Sequence, residues 1–247
     1  LLYGKFVPVE NTMNLLKATK AYLKKWGRAL SFYVDKDSIY KVNRNATVEE
    51  ELENEDGMTQ FFRAMKELGI EVIFANSPQA KGRVERGFKT HQDRLVKELR
   101  LAKISTIEAA NRFLWETYIP DHNRRCAVEP ASSINAHRRL LKSHRLEEIL
   151  SVRIERALMN DFTVQCKNRF FQLGPSQPVY IRPKAKVQVE YRLDGATYMR
   201  YKERYLNFKK IAKRPYRPLA LAVGKQVRPP QPGSLQYART IYMGPWQ

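Results

Sequence analysis

Two acidic residues in the first half of the chain, Asp35 and Glu85, occupy positions typical of metal-binding carboxylates. Asp35 follows residues 29–34, an apolar run of buried-strand length. Glu85 is placed in the first turn of a predicted long helix, just after a second apolar run at residues 70–74. Ligands collect where strands of an open α/β sheet end, so the two carboxylates can converge. Oxygen ligands suit Mg²⁺, and two such ions activate the attacking oxygen and stabilise the leaving oxygen in phosphoryl transfer.

The spacing of these acids does not by itself exclude purely structural roles. Asp at a strand end and Glu near a helix N-terminus are also ordinary capping choices. Asp37 and Asp56 are alternative ligands in place of Asp35. Glu10, the one acid that precedes Asp35 in the sequence, stands at a predicted helix start and is interpreted as a cap-region residue.

The elements that would position the acids alternate along the first 122 residues. Strands are predicted at 2–9, 29–34 and 70–74, helices at 11–26, 57–68, 83–101 and 105–118, and a polar acidic loop at 43–56. This order predicts an α/β layer structure with helices packed on the sheet.

The helix at 83–101 has two predicted faces. Its apolar face consists of Val84, Phe88, Leu95 and Leu99, and its polar face of Lys81, Glu85, Lys89 and Gln92. The polar face is interpreted as one that meets DNA, with an ordinary Glu–Lys helix pair as the alternative.

After Pro130 the pattern changes to short strands. A short helix is predicted at 143–150 and strands at 153–157, 163–166, 169–173, 179–181, 186–192 and 197–201. Asp194-Gly195 between two alternating segments is a strong hairpin signal. Together these segments predict a small β-barrel, followed by a basic, proline-containing extended tail.

The charge is distributed unevenly. The chain has 45 basic and 25 acidic side chains, a net charge of +20, and residues 1–122 account for only 20 of the basic and 17 of the acidic ones. The excess therefore lies in the second half, which indicates a polyanionic partner such as nucleic acid. Tyrosines alternate there with cations, and most are expected in the core of the barrel. The cations predicted to contact the DNA backbone are Arg182, Lys184, Lys186, Arg200, Lys202 and Arg204.

Three segments of the chain resemble the core of the DDE integrase and transposase superfamily. They are residues 33–38, 69–72 and 76–86. In that family an apolar strand ends in the second catalytic Asp, and a later Ser-Pro-x-x-Lys-Gly-x-Val-Glu segment carries the catalytic Glu. This chain matches the later segment at Ser77, Pro78, Lys81, Gly82, Val84 and Glu85. The likeness is closest to bacterial insertion-sequence transposases of the ISNCY type and also includes residues 92–100 and 123–125.

The resemblance implies a DNA transposase that nicks the ends of an insertion sequence and transfers the strands into target DNA. It implies an RNase H-like core with Asp35 and Glu85 as catalytic and metal-binding residues, and a site for two Mg²⁺ or Mn²⁺ ions. Lys81, Arg83, Lys89 and Gln92 are then expected to contact double-stranded DNA. A homo-oligomer on DNA and a bacterial cytoplasmic, nucleoid-associated location are also implied.

One departure from the family is the first catalytic Asp, which has no counterpart before Asp35. The expectation is a fragment of a longer reading frame or a decayed remnant that only binds DNA; a simple RNase H-like nuclease is a further alternative. The predicted divisions are a catalytic core at 1–130 without its first strand, a linker with a short helix at 131–150, the β-barrel at 151–212 and the tail at 213–247.

The sequence gives little support to other classes of protein. Cys126 and Cys166 are too isolated to predict a zinc site or a disulfide. The four histidines have no metal-ligand spacing, and no apolar run approaches the ~18 residues of a membrane span.

Overall fold

In a computed structural model, the structure describes residues 1–34, 59–75, 78–130 and 132–213. Within the helix that begins at residue 78, it describes no side chain for residues 78–81, 83 and 84. Asp35, Asp37 and Asp56, the predicted loop at 43–56 and most of the predicted tail lie outside the described residues.

The first helix, α1 (Thr12–Trp26), begins and ends where its local signals predict. The side chain of Asn11 accepts a hydrogen bond from the backbone N–H of Asn14 at 2.9 Å, as an N-cap does. At its end, Gly27 has φ +88°, and a Cβ there would stand 2.6 Å from the carbonyl oxygen of Arg138. Only glycine therefore fits this turn.

Two short pairs of strands follow. β1 (Arg28–Ala29) pairs antiparallel with β4 (His137–Arg138), and β2 (Ser31–Val34) pairs parallel with β3 (Glu71–Phe74). Between β2 and β3 lies α2 (Gln60–Glu67), whose N-cap is Thr59. Leu16 and Leu23 of α1, Phe61 and Met65 of α2, and Leu150 from beyond β4 share one buried apolar core.

The long helix α3 (Pro78–Leu101) starts five residues earlier than predicted. Proline is compatible with the first turn of a helix because the N–H that it lacks would have no partner there. After α3 come α4 (Ile107–Phe113), a π-helical turn (Leu114–Tyr118) and α5 (Ile119–Cys126), which form one continuous helical stretch. Thr106 caps it, as predicted.

The prediction of a strand at residues 2–9 is wrong. This described segment pairs with no described strand; instead, the side chain of Asn111 accepts from the N–H of Phe6 at 2.9 Å and donates to its carbonyl at 3.0 Å. Its alternating apolar side chains pack on helices: Phe6 joins the cluster of Leu95, Leu114 and Tyr118. The alternation reflects burial of the apolar side chains on one side of the segment. An extended segment can bury them in this way without forming hydrogen bonds to a neighbouring strand.

The second half begins with α6 (Leu146–Ile149) and continues as two antiparallel sheets around one apolar core. The first sheet has the order β10-β9-β8-β5 and the second β11-β7-β6. Their strands are β5 (Val152–Ala157), β6 (Thr163–Cys166), β7 (Arg169–Leu173), β8 (Lys186–Tyr191), β9 (Thr197–Tyr201), β10 (Arg204–Tyr205) and β11 (Phe208–Ile211).

The sequence predicts five of these seven strands and misses β10 and β11. Asp194-Gly195 forms the hairpin between β8 and β9, where Gly195 has φ +90° and the register pairs Tyr191 with Thr197. The strand predicted at 179–181 is absent from the described sheets. That segment lies between Pro178 and Pro183, and proline supplies no N–H to a sheet ladder.

A polar contact joins α2 to β5. Gln60 Oε1 accepts from the N–H of Arg153 at 2.9 Å, and Gln60 Nε2 donates to the carbonyl of Arg153 at 3.0 Å. Arg153 also forms two hydrogen bonds to the carboxylate of Glu67, at 2.7 and 3.1 Å. Residues Leu1–Ala212 accordingly form one compact unit.

Candidate active site and cationic surface

The parallel strands β2 and β3 end side by side. Val34 is in register with Phe74, and the N–H of Ala75 donates to the carbonyl of Val34 at 2.8 Å. The chain therefore leaves the two strands at neighbouring points, one leading into Asp35 and the other toward α3. Asp35 itself is outside the described residues.

Glu85 lies about two turns into α3 rather than in its first turn, because the helix begins at Pro78. Its side chain is exposed, and it forms no hydrogen bond or ion pair with any residue that the structure describes. The carboxylate is thus not neutralised by these residues. Among the described residues, no three His, Cys, Asp or Glu side chains are grouped to hold a metal ion.

The predicted polar face of α3 is partly tested. Lys89 and Gln92, one and two turns beyond Glu85, are exposed like it. Lys81 and Arg83 lie in the helix, but their side chains are not among those described. The exposed residues form one polar strip along the helix, open to a ligand.

The predicted apolar face of α3 is only partly correct. Leu95 is buried and Leu99 packs against the same cluster, but the side chain of Phe88 is 62% exposed. Phe88 lines a cavity of about 420 Å³ together with Tyr3 and His91. The side chain of Val84 is not described.

His91 and His122, which have no predicted role, form a cluster with Tyr118. His91 Nδ1 lies 2.8 Å from the Tyr118 hydroxyl, and the two imidazole rings are 4.6 Å apart between centroids. Burial lowers the pKa of both histidines, and the neighbouring His122 lowers that of His91 further. The cluster therefore favours neutral imidazoles between α3, which carries His91, and the helical stretch that carries Tyr118 and His122.

The predicted DNA-contact residues of the second half gather at one end of the four-stranded sheet. Strand register pairs Ala157 with Lys186 and Gln188 with Arg200. The β9–β10 turn at Lys202 and the turn that precedes β8 therefore lie at this same end. We call it the cationic end and define it by Arg182, Lys184, Lys186, Arg200, Lys202 and Arg204.

Not all six cations are equally available. Lys186 lies 3.3 Å from a carboxylate oxygen of Glu155, and Arg200 lies 3.2 Å from one of Glu203. The other four are exposed and make no ion pair with the acidic residues of the described ranges. These four retain an uncompensated positive charge.

The tyrosines of this region divide by environment, and most are packed as predicted. Tyr191 is buried in the core between the sheets. Tyr198 and Tyr205 flank Arg192, whose guanidinium lies 3.7 Å from the Tyr198 ring centroid and 2.7 Å from the fully buried Glu190. Tyr180 alone of the described tyrosines is mostly exposed, at 76%.

Contacts of α2 hold the start of β5. Gln60, in the first turn of α2, binds the backbone of Arg153. Arg63, one turn later, donates to the carbonyls of Ser151 at 2.6 Å and Ile149 at 3.1 Å. The residues that lead into β5 therefore pack against α2.

α2 also contacts the end of β3, where the ring of Phe62 stacks on that of Phe74 with 6.1 Å between centroids. The same helix therefore contacts both β3 and the first strand of the four-stranded sheet.

Sequence reasoning missed the polar residues that attach α2 to β5. Gln60, Arg63 and Glu67 recur at helical spacing on one side of α2, opposite the apolar residues that were recognised. A polar stripe of this kind is the sequence signal for such a polar contact between elements, but a helix face exposed to solvent shows the same pattern.

Comparison with known proteins identifies two relatives. The chain is 35% identical over 210 residues to "Putative transposase y4bF" of Sinorhizobium fredii, covering 85% of this chain and 45% of that protein. It is 28% identical over 212 residues to "Transposase for insertion sequence IS1202" of Streptococcus pneumoniae, covering 85% of this chain and 44% of that protein. The chain thus spans a little under half the length of these relatives. No protein-family model matches it. In the described ranges, no helix is both long and apolar enough to cross a membrane.

Proposed function

We propose that this chain, a homologue of bacterial insertion-sequence transposases, takes part in metal-dependent nicking of element ends and strand transfer into target DNA. The observation that carries the proposal is Glu85, an exposed carboxylate with no described partner. It lies on the helix that follows β3, and β3 pairs with β2, the strand that leads into Asp35. Transposase relatives over 85% of the chain support it. An RNase H-like core is part of the proposal.

In this proposal Asp35 and Glu85 hold Mg²⁺ or Mn²⁺. Their oxygen ligands match the preference of these hard cations, and the carboxylate of Glu85 forms no ion pair with the side chains that the structure describes. When bound, the ions supply activation of the attacking oxygen and stabilisation of the leaving one.

The remaining residues position DNA. Lys89 and Gln92 extend the exposed face of α3 beyond Glu85, and the cationic end carries four exposed cations without described ion pairs. Lysine and arginine there neutralise phosphates without reading bases, so they hold the backbone of the duplex. Assembly of several copies to hold two DNA ends belongs to the same proposal.

The test is a nicking and strand-transfer assay with the full reading frame that contains these 247 residues, on DNA that carries the ends of its own genomic element. Nicking and joining should require Mg²⁺ or Mn²⁺ and disappear in Asp35→Asn and in Glu85→Gln. Glu108→Gln is the matched control, because Glu108 is also an exposed helix glutamate. Full activity in Glu85→Gln would refute the assignment, and nicking without joining would identify a simple nuclease.

A second candidate function is DNA binding without cleavage, which the concentration of positive charge in residues 123–247 favours. It predicts steeply salt-dependent binding to duplex and no cleavage with either metal. Titration with Mn²⁺, followed by electron paramagnetic resonance, separates the candidates further: only the catalytic proposal requires that Glu85→Gln weaken metal binding.

A further inference from the structure

A groove of about 630 Å³ opens at the loop between β7 and β8. Two exposed aromatic side chains line it: Tyr180, which is 76% exposed, and Phe162, which is 40% exposed. Aromatic surface left in water is hydrophobic area that a ligand can cover, and a ring in an open groove presents its face for stacking.

The walls of the groove are fixed by hydrogen bonds. Gln177 Nε2 donates to the carbonyls of Gly174 at 2.8 Å and Asn207 at 2.7 Å, and its Oε1 accepts from the N–H of Asn207 at 2.9 Å. Asn207 Nδ2 donates in turn to the carbonyl of Ser176 at 3.0 Å. The loop is thereby attached to the connection before β11, so a ligand meets a preformed surface.

Two cations, Arg182 and Lys184, follow the groove-lining residues Tyr180 and Ile181 in the sequence. The guanidinium of Arg182 lies 5.5 Å from the Tyr180 ring centroid. In the next turn, the backbone N–H of Lys184 donates to the carbonyl of Leu158 at 2.7 Å. Lys184 has a φ of +69°. Both side chains are exposed and form no ion pair with the described acidic residues. Asp161, the acidic residue that precedes the groove-lining Phe162, accepts hydrogen bonds at one carboxylate oxygen from the backbone N–H and the hydroxyl of Thr163.

We propose that this groove binds an unpaired nucleotide of DNA, with the base stacked on Tyr180 and Phe162 and the phosphate held by Arg182 and Lys184. The inference rests on the proposed function, since it assumes a DNA-binding chain. An aromatic platform beside cations is the combination that single strands require. Bases inside a duplex are covered by their neighbours, so the site selects a frayed end or a single-stranded extension. Arg182 and Lys184 favour this occupant over an uncharged peptide.

The experiment compares affinities of the full chain for a short single-stranded oligonucleotide and for the duplex of the same sequence, by fluorescence anisotropy at constant salt. Tyr180→Ala should weaken single-strand binding by about fivefold to a hundredfold, the range of one aromatic stack, and leave duplex binding unchanged. Tyr180→Phe, which keeps an aromatic ring, should bind the single strand as the parent chain does. Phe88→Ala, which removes a comparably exposed ring from α3, is the control and should bind as the parent chain does.

A 2-aminopurine in the oligonucleotide provides a second measurement, because stacking on Tyr180 should quench its fluorescence in the parent chain and not in Tyr180→Ala. Equal losses for single strand and duplex, or no loss for either, would overturn the inference. The inference would also be overturned if blocking the groove displaced a bound peptide of the proline-rich residues 228–233 but did not displace DNA. If neither form of DNA binds the parent chain, the proposed function fails as well; if duplex binds and only the Tyr180 effect is missing, the inference alone fails.

Discussion

Gln60 and Arg153 are joined as two paired strand residues would be, although one of them lies in a helix. The side-chain amide of Gln60 accepts from the backbone N–H of Arg153 at 2.9 Å and donates to its carbonyl at 3.0 Å. It therefore satisfies both backbone groups at one position of β5 and sets the position of the four-stranded sheet relative to β3.

This contact makes Gln60 a stability determinant. Gln60→Ala should lower the free energy of unfolding by about 1–3 kcal/mol, because it leaves a part-buried N–H and carbonyl without their partner. Urea denaturation measures the change. Gln92→Ala, which removes an exposed glutamine from α3, should have little effect. If Gln60→Ala lowers the free energy of unfolding no more than Gln92→Ala does, the two hydrogen bonds do not hold β5.

The histidine cluster predicts a pH dependence of stability. Burial holds the pKa of His91 and His122 below the ordinary value of about 6.5, so as the pH falls the unfolded chain takes up protons first. Their contribution to stability is complete above about pH 6.5 and declines toward their folded-state pKa. Arg94 lowers the pKa of both groups, whereas Asp121 raises that of His122.

Urea denaturation at about pH 7.5 and about pH 5.5, on either side of the ordinary histidine pKa, tests this dependence. The double variant His91→Asn/His122→Asn should show a smaller loss of stability between the two values than the parent chain. His144→Asn is the comparison, since among the described residues its ring bonds to Leu141, in its own turn. An unchanged loss in the double variant would contradict the prediction.

The cationic end predicts the salt dependence of duplex binding. Replacing its four cations without described ion pairs (Arg182, Lys184, Lys202 and Arg204) by Gln should reduce the slope of log affinity against log salt. The expected reduction is about 0.9 for each phosphate that the variant no longer neutralises.

A matched variant replaces four exposed cations elsewhere, Lys17, Lys66, Lys103 and Arg112. Filter binding over a range of salt concentrations should give a smaller slope for the first variant and a parental slope for the second. Equal slopes in both variants would show that DNA binding depends on total charge rather than on this end of the sheet.

Features with short-range causes could be predicted from the sequence. The cap at Asn11, the end of α1 at Gly27 and the hairpin at Asp194-Gly195 each depend on a few neighbouring residues, and the structure has them where they were predicted. Homology to transposases was also predictable, because residues 77–85 carry a specific pattern. The failures lie where tertiary contacts compete: residues 2–9 alternate like a strand, but their polar groups find Asn111 instead.

For the candidate site, the sequence by itself determined the residue types, the strand that leads into Asp35, and the excess of positive charge in the second half. The register of β2 against β3, the exposure of Glu85 and the contact of α2 with β5 were decided only by the tertiary structure. The physical reason is the separation along the chain of the residues that determine each feature. Caps and turns are fixed by neighbours in the chain, whereas Gln60 and Arg153 are 93 residues apart and meet only once the apolar cores have formed.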